Sequence, residues 1–346
     1  MARSDYGLSR PFAAALAGYY GFNNLGDELL ATSAIHYLEK NGVPRERIVV
    51  LSASPEETAS SFGTHAVDRW SFLEVYRTLR RSEVLLFGGG GLFQDSTSLR
   101  SCVYYWGLLH MARIAGCPSA VLAQSIGPFR TGMGAWLARN ALTLCKVRTV
   151  RDQRSLDVLH SWDLAGELVP DLVMGLSFSK QENAPLALLV NLRPWEGDLS
   201  VLTAKTVARY ARQHALPVIG VGMAPEDVQL LRSFSASGLL PCKDIRLVRN
   251  WREIEEIWSL GGQAVGMRLH FCMISLLAGC PVVAVPYDPK VEAFAKNWGI
   301  PLLSNKDLPL VPWPVSGLER VAYVRQECGR SMEKTWKEMS FHEKTS

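Results

Sequence analysis

Two doubly wound, Rossmann-like α/β domains are predicted from three features of this chain. It has 346 residues, about twice the usual domain length of roughly 150. Short apolar runs alternate with helix-period patterns throughout, the signature of parallel strands joined by crossover helices. A polar stretch without periodicity, S-F-S-K-Q-E-N-A-P, divides that alternation into two similar halves. The expected domains are residues 1–176 and 186–346, with a linker at 177–185 and the C-terminal helix in the second domain. Ligands on such sheets bind beyond the carboxyl ends of the strands, so the expected active site is the interdomain cleft.

The first strand is expected at 12–18, in P-F-A-A-A-L-A-G. Arg3 and Arg10 before it loosely imitate a signal peptide. The same residues form a first buried strand leading into a glycine-rich loop, and their removal would behead the first β–α unit. A helix is expected from near Asp27 to the stop at Asn41-Gly42. Further strands are expected at 47–51, 84–87, 118–124, 147–151 and 167–171, with helices over 72–81, 101–115, 133–145 and 152–161. In the second half, strands are expected at 186–190, 217–221, 245–248, 263–266 and 281–287. A short apolar helix follows Gly266, and a long helical pattern runs from beyond Pro314 to near Phe341.

Composition excludes several classes. Hydrophobic residues make up 48% and charged ones 20%, which fits large cores and not a disordered chain. The net charge of +4 is mild, and no Lys/Arg run resembles a nucleic-acid arm. No apolar run reaches the roughly 18 residues a membrane span needs. Seven cysteines lack any C-x-x-C, and their odd number argues for a reducing, cytoplasmic compartment. Cys272 and Cys280 are expected to be small buried hydrophobes. The histidines show no metal-binding spacing, so neither a metal nor another cofactor is expected.

Five stretches can carry chemistry. G-Y-Y-G-F-N-N-L-G-D-E, 18–28, follows a strand and opens a helix. Its Asn23 and Asn24 offer amide donors and acceptors, and Asp27 and Glu28 sit where a helix start favours negative charge. It is either a substrate loop or an ordinary β–α turn capped by Asp27. It is neither a dinucleotide fingerprint nor a Walker loop. F-G-G-G-G-L-F-Q-D, 87–95, has four glycines, among them Gly89 and Gly90, that free backbone N–H groups for an anion or sugar. Asp95 there can bond hydroxyls; a flexible strand-to-helix turn is the plain alternative. Gln124 and Ser125 end another strand and are expected to face the same cleft. Arg151 ends the next, with Asp152 as a helix N-cap; a structural salt bridge is its alternative. Asn191 and Arg193 hold the equivalent place in the second half.

The fifth stretch is G-M-R-L-H, 266–270, followed by Lys290 in Y-D-P-K. Arg268 and Lys290 suit a multiply anionic substrate, and His270 suits a proton donor beside it.

These motifs, in this order, resemble the polysaccharide pyruvyl transferase family, particularly the branch that modifies cell-wall polymers for S-layer attachment. The resemblance rests on residues 18–28, G-G-G-G-L-F-Q-D, Q-S-I-G-P, R-D-x-x-S at 151–155, V-P-D at 169–171, G-M-R-L-H and Y-D-P-K, and covers about 16–290. It implies a GT-B-like fold, phosphoenolpyruvate as donor and a sugar diol as acceptor. The family's R-L-H motif falls on Arg268, Leu269 and His270, its downstream lysine on Lys290 and its upstream arginine on Arg151. The helix after the first loop departs from the family with D-E-L-L-A-T. The resemblance also implies a lipid-carried cell-wall precursor, such as one bearing N-acetylmannosamine. That would bring the enzyme to the inner face of the membrane as a peripheral contact.

The chemistry suits the residues. Phosphoenolpyruvate carries a carboxylate and a phosphate, so it calls for several cations. His270 is expected to act as acid/base, with Arg268, Lys290 and Arg151 holding the donor. Asp27 or Glu28 would activate the acceptor, held by Asn23, Asn24, Gly89, Gly90, Asp95 and Gln124. Two rival readings remain: a nucleotide-sugar glycosyltransferase of the same fold, and a non-catalytic sugar- or anion-binding protein.

Overall fold

The computed structural model describes residues 10–96, 98–178, 187–303 and 318–340. The chain forms two compact units, each built on one parallel sheet. Among the described residues, the first unit comprises 10–22, 27–175 and 325–340, and the second comprises 23–26, 176–178, 187–303 and 318–324.

The first unit begins with β1 (Phe12–Ala17), α1 (Leu25–Lys40), β2 (Ile48–Ser52), α2 (Pro55–Phe62), β3 (His65–Asp68) and α3 (Phe72–Arg80). It continues with β4 (Ser82–Phe87), β5 (Gly90–Phe93), α4 (Leu99–Ile114), β6 (Ser119–Ile126), α5 (Gly132–Leu142), β7 (Cys145–Val150), α6 (Gln153–Ser161) and β8 (Glu167–Leu168). The sheet order is β3-β2-β1-β4-β6-β7-β8, with β5 paired to β6. Order reverses between β1 and β4, which is where an open α/β sheet leaves a crevice at its carboxyl edge. β1 is nearly all alanine and leucine and is buried on both faces, as an interior parallel strand requires. Side chains fix the helix starts: Ser98 accepts from Arg100 N, Thr131 from Gly134 N, and Asp152 from Ser155 N. The last of these is the cap expected from the sequence.

The second unit holds β9 (Ala187–Asn191), α7 (Leu199–Gln213), β10 (Val218–Gly222), α8 (Pro225–Ala236), β11 (Asp244–Leu247) and α9 (Trp251–Trp258). Then come β12 (Gly261–Gly266), α10 (Leu269–Leu277), β13 (Val282–Ala284) and α11 (Pro289–Trp298). Its order, β11-β10-β9-β12-β13, again reverses beside the first strand, between β9 and β12. Leu188, Val190, Val265 and Val283 fill the core of this sheet. Cys272 and Cys280 are buried, as expected for small apolar side chains.

Three differences from the sequence expectation have physical causes. β5 lies within the glycine run, which was read as a ligand-binding loop or a flexible turn, because Gly90 and Phe93 pair with Gln124 and Ile126 of β6. β3 and α2 were not expected; β3 is a four-residue edge strand, mostly half-buried, with no apolar run to announce it. The last helix, α12 (Leu318–Ser340), was assigned to the second domain, but from Arg325 onward it packs with the first unit. There Cys328 Sγ donates to the Asp171 carbonyl at 3.5 Å and Lys334 Nζ meets Glu167 Oε2 at 2.6 Å. The linker expected at 177–185 lies, from 179 on, outside the described residues. No helix among the described residues is long and apolar enough to cross a membrane.

Candidate functional site

In the second unit, chemistry-bearing residues gather at the carboxyl ends of β9, β10 and β12. β9 ends on Asn191, whose side chain works in both directions. Its Oδ1 accepts from Arg268 N at 3.0 Å, and its Nδ2 donates to Val221 O at 2.9 Å. Asp227, fully buried in the first turn of α8, receives Arg268 Nε on Oδ2 and Arg268 Nη2 on Oδ1, both at 2.7 Å. Met223 N also donates to Asp227 Oδ2, at 3.0 Å. Glu226, one residue earlier, accepts from Arg268 Nη2 at 2.8 Å. Burial works against the Arg268 charge, but these two carboxylates outweigh it and raise its pKa further. The expected donor clamp is therefore a guanidinium whose plane is already fixed by its own chain.

Arg193, just beyond β9, is held differently. Its Nη1 donates to Tyr287 Oη at 3.2 Å, and its guanidinium carbon lies 5.4 Å from the Trp195 ring centre and 5.3 Å from that of Tyr287. Its buried Nε has no acceptor among the described residues, and no described carboxylate is within ion-pair distance of it. Burial pushes the Tyr287 phenol up, against the pull of Arg193. Arg193 is thus the arginine of this edge that aromatic rings, not a carboxylate, accompany.

Two residues after Arg268, His270 lies in the first turn of α10 and is half-buried. Gly26 sits against it: a Cβ there would fall 2.3 Å from His270 Nδ1. Leu25 N donates to Met223 O at 3.2 Å, so Asn23 and Asn24 of the first loop belong to the second unit with His270. Asn23 is exposed with a positive φ of 57°, a conformation asparagine tolerates better than most residues. Asp288 caps α11 through Lys290 N at 2.8 Å, which sets half-buried Lys290 in the first turn of that helix.

In the first unit, Tyr20 organises the glycine-rich loops. Its ring fills the space where a Cβ on Gly18 would stand, 2.3 Å away, and its hydroxyl the space beside Gly88, at 2.2 Å. That hydroxyl is buried without a hydrogen-bond partner among the described residues. Gly90 has φ of 94°, and a Cβ there would lie 3.4 Å from Asp27 Oδ1, so the glycine run lets the backbone pass close to that carboxylate. Glu28 turns back to accept from Gly21 N at 2.8 Å. Burial raises its pKa to about 7, with Glu57 adding to the rise and the Gly21 bond opposing it. Arg69, buried after β3, donates to Gly18 O at 2.7 Å and stacks under Tyr104 at 4.4 Å.

Three expected ligand contacts prove to be held by the protein itself. Arg151 pairs with Asp171 and donates through Nε to Ser125 Oγ at 2.8 Å, with both ionic side chains nearly buried. Ser125 in turn bonds Asp152 Oδ2 at 2.7 Å, so Q-S, R-D-x-x-S and V-P-D form one internal network. For Arg151 the structural salt bridge describes what is seen. Asp95 accepts from Thr131 N at 3.0 Å and from Arg130 N and Thr131 Oγ1, because this buried carboxylate anchors the start of α5. Gln124 is fully buried and donates to Gly89 O at 2.7 Å, holding the glycine run in place.

Sequence reasoning passed over Glu226, Asp227, Tyr287 and Arg69. Pro225 followed by two acids signals a helix start. Nothing in that pattern shows that Arg268, 41 residues on, would be the partner. Among the described residues, no group of three or more His, Cys, Asp or Glu is placed to hold a metal.

The family model described as polysaccharide pyruvyl transferase matches residues 24–289. No curated protein matches the chain. Solved structures share the fold at low identity. HepE of Anabaena in complex with UDP-glucose is 12% identical, with a TM-score of 0.57, covering 94% of this chain and 95% of that one. A UDP-GlcNAc 2-epimerase from Methanocaldococcus jannaschii is 9% identical, with a TM-score of 0.61 over 95% and 99%. That of Neisseria meningitidis, bound to UDP-GlcNAc, is 10% identical, with a TM-score of 0.56 over 94% and 99%. These likenesses identify the fold as GT-B-like α/β.

Proposed function

Because the chain belongs to the polysaccharide pyruvyl transferase family, we propose that it moves pyruvate from phosphoenolpyruvate onto two hydroxyls of a sugar. The product is a pyruvate ketal and the leaving group is phosphate. The acceptor in this proposal is a cell-wall polysaccharide precursor carried on a lipid, such as one with N-acetylmannosamine, met at the inner face of the membrane. The S-layer-anchoring branch is the proposed place of the chain within the family.

The observation that carries this reading is the edge of the second sheet. Arg268 donates to the half-exposed carboxylate of Glu226 at 2.8 Å, and Arg193 lies on the same edge, just beyond β9, with no described carboxylate at ion-pair distance. His270 stands two residues from Arg268, and half-buried Lys290 is set by the Asp288 cap. Two guanidiniums and an ammonium match a donor that carries a carboxylate and a phosphate.

In the proposed reaction, His270 delivers a proton to C3 of the enol while one sugar hydroxyl forms a bond to C2. The C2–O bond to phosphate then breaks, and the second hydroxyl adds to C2. One hydroxyl proton restores the proton that His270 gave to C3, and the other leaves on the departing phosphate. An imidazole carries both a donor and an acceptor nitrogen, the pair of roles this exchange needs. The cations neutralise charge as phosphate leaves. On the acceptor side, Asp27 is the proposed base. Its carboxylate faces the glycine run, whereas that of Glu28 is turned back onto Gly21 N.

The test is phosphate release from phosphoenolpyruvate by the purified protein with candidate sugars, followed by mass spectrometry of the product. Release that depends on the sugar, with a ketal-linked pyruvate on the product, supports the proposal. A second reading, glycosyl transfer from a nucleotide sugar, is favoured by the likeness to the HepE–UDP-glucose complex. Turnover of UDP-sugars with none of phosphoenolpyruvate would select it.

A further inference from the structure

Arg268 is met by two carboxylates of very different character. Asp227 has no exposed side-chain surface and takes two donors of the fork, while Glu226 has half of its side chain exposed and takes one. A buried, fully bonded pair is costly to break, whereas an exposed contact is worth little. Asp227 is therefore the fixed partner and Glu226 the exchangeable one. Nη1 of Arg268 has no acceptor among the described residues.

Glu226 also lies in the field of Arg193, which has no carboxylate at ion-pair distance among the described residues. Burial works against its ionisation, but its own backbone N–H, Arg268 and Arg193 together hold its carboxyl below the usual range. Its position in the first turn of α8 adds the favourable end of the helix dipole.

We infer that Glu226 is an internal substitute for the substrate's anion, and that donor binding requires its carboxylate to leave Arg268. The incoming group is a carboxylate or a phosphate on a small molecule, since it replaces one carboxylate on the Arg268 guanidinium. Asp227 stays in place and keeps the Arg268 fork oriented while the exchange happens. Anions too weak to displace Glu226 are rejected, so the residue sets a threshold for the donor. The inference rests on the donor site proposed above.

The experiment is calorimetric titration of phosphoenolpyruvate, and separately of inorganic phosphate, into the whole protein and into its Glu226→Gln and Glu226→Ala variants. Circular dichroism checks that each variant is folded. Both variants are expected to bind phosphoenolpyruvate roughly three- to tenfold more tightly than wild type, the reverse of what loss of a binding residue does. KM for the donor is expected to fall by the same factor. Equal or weaker binding in both folded variants overturns the inference. If the wild type and both variants fail to bind phosphoenolpyruvate, the donor assignment is what fails. Inorganic phosphate then decides the case of Glu226: tighter binding in the variants sustains it, and unchanged binding overturns it.

Discussion

Gly26 and His270 exclude each other's bulk: a Cβ on residue 26 would lie 2.3 Å from the imidazole Nδ1. Gly26 is in the first turn of α1 and its φ lies outside the left-handed region, so the backbone itself does not require glycine there. The imidazole does. Gly26→Ala should therefore gain up to about 1 kcal/mol of helix propensity while forcing His270 to move. The expected outcome is a melting temperature within a few degrees of wild type and turnover reduced at least about tenfold, since positioning errors of this size are costly. Thermal unfolding and steady-state rates check it. Wild-type turnover in a folded variant would remove His270 from the proposed chemistry.

Glu28 should make stability depend on pH in an unusual direction for a carboxyl. Its folded pKa is raised, from 4.5 to about 7. A raised carboxyl contributes stability below its unfolded pKa and loses that contribution as pH rises through the folded value. Stability should accordingly fall between about pH 4.5 and pH 7, by roughly 3 kcal/mol for this group. Glu28→Gln keeps an acceptor for Gly21 N and cannot ionise. Urea denaturation at pH 5 and pH 8 should show the loss in wild type and a smaller loss in the variant.

Tyr20 carries a buried hydroxyl with no hydrogen-bond partner among the described residues, and Gly88 lies directly beside it. Tyr20→Phe should be neutral or stabilising, by up to about 1 kcal/mol, because it deletes an unsatisfied polar group. Gly88→Ala should cost about 1–3 kcal/mol by overpacking. The double variant should recover part of that loss. A double-mutant cycle in denaturant measures the coupling, and strict additivity would contradict the proposed clash.

Asp227 and Arg268 should depend on each other. Asp227→Ala leaves a largely buried guanidinium with only Glu226 opposite it. Arg268→Ala leaves a fully buried carboxylate without its cation. Each single change should cost about 3–5 kcal/mol, and the double change clearly less than their sum. Chemical denaturation of the three variants gives the answer.

The strand–helix alternation was legible because interior parallel strands are written as apolar runs, as in the stretch from Phe12 to Ala17. β3 was not, since an edge strand with half-buried faces has no such run to show. Motif reading found Arg151, Arg268, Asp95 and Gln124 but did not foresee what holds them. Asp171 is 20 residues from Arg151, and Asp227 is 41 from Arg268. Pairings at such separations belong to the tertiary fold and leave no periodic trace. The sequence marks an arginine at a strand end equally whether it meets a ligand or an aspartate. Arg193, beside Trp195 and Tyr287 and with no described carboxylate at ion-pair distance, is written in the sequence no differently.

The assignment of residues 325–340 to the first unit bears on how this protein comes into being. Cys328 and Lys334 close onto Asp171 and Glu167, which leave the ribosome more than 150 residues earlier. Domains usually fold as units during synthesis, N-terminal first. Here the N-terminal sheet must wait, one segment short, while the entire second sheet is translated. During that interval the surface later covered by Cys328 stays open to solvent and to chaperones, so the slowest-finished part of the molecule is the part made first.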